Sequence, residues 1–337
     1  MTTSPDTSFR IKPSAVITTL VLLFAAGGLL VFFSDVGKLR QVIESFDTRY
    51  LLLIVPLSLV KFVMWFVKWD YYLDLIDVHV PRLDDILIYM SGFSLSLTPG
   101  KVGELLRSWI LQDRFGVPAE KTVPLTLMER ATDAVAMCVI ACLTFSSVGS
   151  SALPALAVLA VLFAVMFALR RRVWVEALLR RLGNVRAVAR FVDALRDAYE
   201  STYAISAPRN NVYGIANGLV SWVAEGLVLY LILRAVGAPI GAAQALFVVS
   251  VAAIAGAVSS IPGGLIANEL SAIALLTLIG VPAPVATAAT LLARISTLWL
   301  GIALGTISYA VFRLIRPRMV SHDLAAHIAE DADATAR

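Results

Sequence analysis

Ionisable side chains stand inside stretches of this sequence that are otherwise apolar. Glu129, Arg130 and Asp133 fall one turn into the run 122–147, Glu225 sits midway along 212–236, Arg294 lies well inside 284–312, and Lys61 is near the middle of 50–69. An ionised group at the centre of a bilayer costs about 2.5–3.5 kcal/mol or more, so each needs an opposite charge or a wet cavity. Such groups can hold a charged head group, carry a proton, or act as general acid and base. Glu129 and Asp133 are four residues apart and share a helix face, with Arg130 about 100° round. Glu129 and Arg130 read equally as an internal salt bridge or as part of a transport site. Glu225 has no local partner, which makes Arg294 or Lys61 on another helix a candidate. Lys68, on the face of Lys61, reads as a side chain snorkelling to the interface beside Trp69.

Two further clusters follow backbone breaks. The apolar stretch 85–112 is interrupted at Thr98-Pro99-Gly100 and then carries Lys101, Glu104 and Arg107. The stretch 242–280 is interrupted at Ile261-Pro262-Gly263-Gly264 and then carries Asn268 and Glu269. Proline removes a backbone donor and glycine adds freedom, so each break ends a helix. A helix beginning near Lys101 would aim free N–H groups and a positive dipole end at the membrane midplane, a setting for a phosphate or other anionic head group. Glu104 and Glu269 would read an amine or balance the cations.

The elements that must position these residues are membrane helices. Of 337 residues 59% are hydrophobic and 15% charged, with a mean hydropathy of +0.82. Soluble domains carry roughly 25% charge, so the apolar excess faces lipid. A helix needs about 20 apolar residues to cross. The pattern predicts spans near 14–33, 50–69, 122–147, 152–169, 212–236 and 284–312. The arms around the first break are too short to span, and each broken stretch reads as two helices that enter and return to one side. Such backbone is tolerated at membrane depth only against protein or a water-filled cavity. The fold expected is therefore all-α and polytopic, with about six spanning helices and two re-entrant pairs.

The segment 170–210 holds nine arginines, which places it in the cytoplasm by the positive-inside bias. Both termini, 1–13 and 316–337, then also lie inside, the latter as a disordered tail. Apolar residues among the cations of 170–200 predict an amphipathic helix on an anionic leaflet. The expected location is the cell membrane. Cys138 and Cys142 suggest neither a disulfide framework nor a zinc site, and the net charge of +4 sits beside spans, so no nucleic-acid partner is expected.

The two broken stretches also resemble each other. Pro99-Gly100 leads to Gly116-Val117-Pro118 and then Arg130; Pro262-Gly263 leads to Gly280-Val281-Pro282 and then Arg294. The first-to-second proline intervals are 19 and 20 residues, and the proline-to-arginine intervals are 12 and 12. The spans given above make one unit (about 84–148) enter from the cytoplasm and the other (about 242–312) from outside. Inverted repeats with discontinuous helices are the sequence pointer to a transporter whose site lies near the midplane.

The run Pro99-Gly100-Lys101-Val102-Gly103-Glu104 with Arg107, together with Glu129-Arg130 and Asp133, Pro262-Gly263-Gly264 with Glu269, and Arg294, resembles the lysylphosphatidylglycerol synthase transmembrane-domain, or flippase-like, family over about residues 14–315. The resemblance implies a polytopic domain, 14–315, that flips a lipid between leaflets. In the bacterial lysyl-lipid proteins, that domain passes on an aminoacylated phosphatidylglycerol made by an attached soluble synthase; some members are linked to glycosyl-lipid pathways. Here the chain ends about 20 residues after the last predicted helix, so a stand-alone member that makes no lysyl-lipid itself is expected. Ile266 and Asn268 stand where the family often has glycine and arginine.

The function expected is a transporter for a polar or anionic-headed lipid, whether phospholipid, aminoacyl-lipid or glycosyl or polyprenyl lipid. No phosphate-cradling nucleotide motif is present, so uphill transport would use an ion gradient or product removal, with Glu225, Glu129 or Asp133 as proton carrier. An intramembrane enzyme is disfavoured: His79, His322 and His327 lie outside the spans, and no nucleophile–base arrangement or metal-ligand spacing occurs. No cofactor or metal is expected. A small-solute or ion transporter, and a membrane partner of a lipid-modifying synthase or glycosyltransferase, are the alternatives.

Overall fold

The computed structural model describes residues 36–96, 104–149, 153–183, 192–238, 240–259 and 266–316. All regular structure among them is helical. The predicted span 14–33 and the tail 317–337 lie outside them.

A short helix α1 (Val36–Glu44) leads into α2 (Leu51–Asp74). Two ten-residue helices follow, α3 (Arg82–Ser91) and α4 (Leu106–Phe115), and then the long α5 (Ala119–Thr144). The apolar α6 (Leu153–Leu169) and the basic α7 (Arg172–Gly183) precede α8 (Val192–Ile205) and the long α9 (Pro208–Ala235). The second half runs through α10 (Ala242–Val258), α11 (Ala267–Leu278), α12 (Ala283–Arg294) and α13 (Leu300–Ile315). A π-helical segment, Ile295–Trp299, joins α12 to α13 without a break.

Among the described residues, four helices are long and apolar enough to cross a membrane: Thr48–Asp74, Ala119–Val148, Pro208–Ala235 and Ala283–Ile315. These match four of the predicted spans. The predicted span 152–169 is a helix of 17 residues, at the short limit for crossing. Over the predicted amphipathic region 170–200, the described residues are helical in α7 and α8, and 184–191 lie outside them. The second, α8, docks on α5 and buries Tyr199 and Ile205.

Helix ends follow local chemistry. Pro118 and Pro282 each stand just before a helix with nearly the same extended backbone, φ −57°, ψ 136° and φ −56°, ψ 137°. Each follows a Gly-Val pair whose glycine has positive φ, 66° at Gly116 and 93° at Gly280, a conformation that glycine alone adopts without steric cost. The two Gly-Val-Pro corners are thus alike in backbone as well as in sequence.

Packing brings the two halves together. The longest contact is between α2 and α9, and α9 also packs on α5 and α10. Glycine makes the close approaches. A Cβ on Gly218 of α9 would lie 3.1 Å from Asp133 Oδ1, and one on Gly305 of α13 would lie 2.5 Å from the Ser94 backbone nitrogen. One apolar cluster gathers the aromatic side chains of α2 and α3 against Leu125, Val135 and Ile140 of α5; a second joins α9, α10, α11 and α12.

A charge-lined cavity between the two halves

The charged residues singled out above converge. Lys61 projects from α2 and Glu225 from α9, and their Nζ and Oε2 atoms meet at 2.6 Å. Lys61 also lies over the rings of Trp65 and Trp222, 4.5 and 5.2 Å from their centroids. Of the two candidate partners for Glu225, the structure selects Lys61.

Arg130 of α5 lies 3.6 Å from Glu104 and 3.3 Å from Asp133, with its guanidinium 4.9 Å from the Trp65 ring centroid. In the second half, Arg294 Nε donates to Glu269 Oε1 at 2.6 Å. Arg294 is the last residue of α12, so the π segment begins immediately beyond it. Single π turns inside α-helices often mark functional positions. Arg130 and Arg294 occupy matching places after their Pro118 and Pro282 corners. Each also finds a carboxylate close to the start of the preceding short helix, Glu104 two residues before α4 and Glu269 in the first turn of α11.

Behind this layer is a second, fully enclosed one. Arg107 Nη2 reaches Glu129 Oε2 at 3.0 Å and Glu104 at 3.7 Å, and its guanidinium packs 4.6 and 4.7 Å from the Trp69 and Tyr89 ring centroids. Gly92 leaves room for it: a Cβ there would stand 2.9 Å from Arg107 Cγ. Lys68 donates to Asp133 Oδ1 at 2.5 Å with its side chain 0% exposed. The snorkelling expected of Lys68 is therefore corrected: Asp133 draws it into the protein, where an unpaired ammonium would be unstable.

The front layer opens on a cavity of about 450 Å³. Its polar wall is Lys61, Glu104, Arg130, Asp133, Glu225, Asn268 and Arg294. Its apolar wall includes Phe62, Trp65, Phe93, Met137, Trp222 and Leu229. Trp65 stacks on Phe93 at 5.8 Å and meets Trp222 edge-on at 6.2 Å. Asn268 and the acids and cations from Lys61 to Arg294 thus assemble as one region, with Arg107, Glu129 and Glu269 supporting it. Pro99, Gly100, Lys101, Pro262, Gly263 and Gly264 lie outside the described residues.

The sequence reading missed Trp222, Phe93 and the pairing role of Lys68. Trp222 was detectable, since it lies three residues before Glu225 and therefore on the same face of α9. Phe93 carries no comparable signal. Among the described residues no group of His, Cys, Asp and Glu has the geometry of a metal site.

An arrangement of paired charges beside an aromatic wall can do two things. It can hold a polar group at depth by exchanging one ion partner for another, and it can accommodate an apolar chain alongside. Buried pairs contribute little net stability but are strongly disruptive when one member is removed.

The comparisons with known proteins agree with this architecture. The model of the family described as "Lysylphosphatidylglycerol synthase TM region" matches residues 16–305. A UPF0104 membrane protein of Methanothermobacter thermautotrophicus is 23% identical over 318 residues, covering 87% of this chain and 94% of its own. Another match under the same name, from the same organism, is 30% identical over 109 residues, 30% of this chain and 31% of its own.

Proposed function

The chain belongs to the lysylphosphatidylglycerol synthase transmembrane-region family of membrane proteins, and from that premise we propose that it moves a polar-headed lipid between the two leaflets. The observation that carries the proposal is the cavity. One wall is ionic and drawn from both halves, the other is aromatic and aliphatic, and both line the same space. A lipid needs both kinds of wall at once, for head group and chain. A hydrated inorganic ion has little use for the aliphatic part of the apolar one.

The matched corners at Gly116-Val117-Pro118 and Gly280-Val281-Pro282 support an inverted repeat, with units at about 84–148 and 242–312. So do the matched pairs Arg130–Glu104 and Arg294–Glu269. In such proteins, alternating access arises when one repeat rocks against the other around a fixed midplane site. The Lys61–Glu225 pair ties α2 to α9, which lie outside both units, and so belongs to the frame around which they move.

In this proposal the chain sits in the cell membrane with both termini in the cytoplasm, and the basic helix α7 lies on the anionic inner leaflet. The chain performs no covalent chemistry in it, and any lipid-modifying synthase or glycosyltransferase is a separate partner.

Reconstituted vesicles test the proposal. A fluorescent phospholipid is distributed over both leaflets and an impermeant quencher is added outside. Loss of signal well beyond half in protein-containing vesicles, against half in empty ones, is the expected result. Loss that stops at half for every lipid tried would overturn it.

A further inference from the structure

Lys61 and Glu225 are 164 residues apart, and the same offset carries Gly116-Val117-Pro118 onto Gly280-Val281-Pro282 and Arg130 onto Arg294. It also carries α2, α3, α4 and α5 in turn onto α9, α10, α11 and the joined α12–α13. The likeness thus reaches back past the two units to the helices of the frame. Packing repeats in the same way: α3 lies against α13, as α10 lies against α5. The leading helices run in opposite directions. Just before α2, Asp47 donates its backbone N–H to the Ala235 carbonyl at the end of α9 at 3.0 Å, and near the far end of α2 the Tyr71 hydroxyl donates to Asn210 at the start of α9 at 2.8 Å. Between those contacts, position 61 faces its own counterpart, 225. A contact between equivalent positions maps onto itself when two copies are exchanged, as at any two-fold interface. An axis relating the copies would therefore pass through the Lys61–Glu225 contact, which stands in the cavity wall.

Three pairs of equivalent positions on that wall show what both copies offer: Glu104 and Asn268, Asp133 and Thr297, Arg130 and Arg294. Of these, only the arginines give both copies the same charge. Each arginine lies 12 residues past its proline corner, about 18 Å along its helix and so close to the middle of a ~30 Å core entered from either face. Neither has to abandon a lone carboxylate to take a ligand. Asp133 also holds Lys68 at 2.5 Å and Glu104 also holds Arg107 at 3.7 Å, so Arg130 can turn away from both. Arg294 meets Glu269 through Nε, and its Nη2 has no hydrogen-bond partner among the described residues. A guanidinium carries five donors in a planar fork, so the others can serve a ligand while that pair stays closed. The group that both copies can hold is an anion, and in a membrane lipid that is most often a phosphate.

We propose that α2–α5 and α9–α13 are inverted copies about an axis through the Lys61–Glu225 contact, and that Arg130 and Arg294, one from each copy, hold the phosphate of a lipid head group on that axis. Guanidinium forks match phosphate oxygens in pairs. As one copy rocks against the other, the phosphate keeps an arginine on either side. The inference rests on the reading of the cavity as a lipid site, and adds to it the group that is gripped and the two residues that grip it.

Binding and movement are tested separately. The purified full chain in detergent is titrated, by native mass spectrometry, with phosphatidylglycerol and with a galactosyl diacylglycerol, which has no phosphate, bearing identical acyl chains. Wild type should bind the phospholipid about tenfold more tightly, one decade in Kd. Arg130→Gln and Arg294→Gln should each bring that ratio to near unity. Arg294→Lys keeps a cation for Glu269 but loses the fork; it should fold even where Arg294→Gln does not, and should lower the ratio severalfold. Equal binding of the two lipids by wild type overturns the inference, and so does a ratio unchanged in every Arg294 variant that folds. Displacement of the phospholipid by soluble glycerophosphoglycerol at comparable concentration also overturns it, by assigning the site to a free solute. In vesicles, movement of phosphatidylglycerol that the Arg294 variants leave intact removes the role of Arg294 while leaving lipid movement standing. Movement of neither lipid by wild type removes the underlying reading and the inference with it.

Discussion

Lys61 and Glu225, 164 residues apart in the chain, meet at 2.6 Å inside the protein and tie α2 to α9. They stand at the wall of the cavity, and each is mostly withdrawn from solvent, with side chains 8% and 14% exposed. Breaking such a pair from one side costs about 3–5 kcal/mol, whereas replacing both members with apolar residues is often neutral.

Lys61→Met alone should therefore lower thermal stability in detergent sharply. Lys61→Met combined with Glu225→Leu should recover most of the loss while leaving lipid movement impaired. A double variant that moves lipid at the wild-type rate would remove the pair from the transport path.

The Lys68–Asp133 pair behaves differently, because no part of Lys68 reaches solvent. Lys68→Met should destabilise by about 3–5 kcal/mol, through the carboxylate left unpaired in the interior. Protein yield and unfolding temperature in detergent check this. A Lys68→Met protein as stable as wild type would mean that Asp133 is satisfied by Arg130 alone.

Gly305→Ala tests the seating of α13 on the segment after α3. The added methyl group would meet the Ser94 nitrogen at 2.5 Å and the Met90 carbonyl oxygen at 2.7 Å, both backbone atoms. Overpacking of this kind costs about 1–3 kcal/mol, and the unfolding temperature should fall accordingly. An unchanged transition would show that α13 can shift outward freely.

Both termini are proposed to face the cytoplasm. A green fluorescent protein fused after Arg337 should fluoresce in a bacterial host, and alkaline phosphatase fused at the same place should be inactive. The reverse pair of results would invert the topology and with it the side on which α7 lies.

Much of the helical layout was legible in the sequence, because hydropathy over about 20 residues is a local property. The runs 50–69, 122–147, 212–236 and 284–312 correspond to α2, α5, α9 and α12–α13. The Gly-Val-Pro anchors of the repeat stand at the corner between α4 and α5 and at that between α11 and α12. The charges were legible as a set, since an ion in an apolar run announces its own need for a partner. Their pairing was not. Which carboxylate meets Lys61 depends on how α2 and α9 pack, and no spacing along either helix encodes that. Lys68 shows the limit clearly. Its distance from the helix end suggested an interfacial lysine, yet the glycines of α9 bring that helix close to α5 and Asp133, and Lys68 turns inward. Docking of α8 on α5 through Tyr199 and Ile205 was likewise hidden, because it is a tertiary effect. The residues around both Pro-Gly breaks, 97–103 and 260–265, lie outside the described structure, so the helix-start anion site expected at Lys101 stays an expectation.

The central claim is that lipid passes through the cavity that Arg130 lines. The most direct measurement is the initial rate of quencher-accessible lipid loss in vesicles holding equal amounts of wild type and Arg130→Ala, each first shown by its unfolding temperature to be folded. A rate for Arg130→Ala reduced at least about tenfold, one decade or 1.4 kcal/mol of barrier, is the predicted result. Equal rates for the two proteins would contradict it and place any lipid path elsewhere on the molecule.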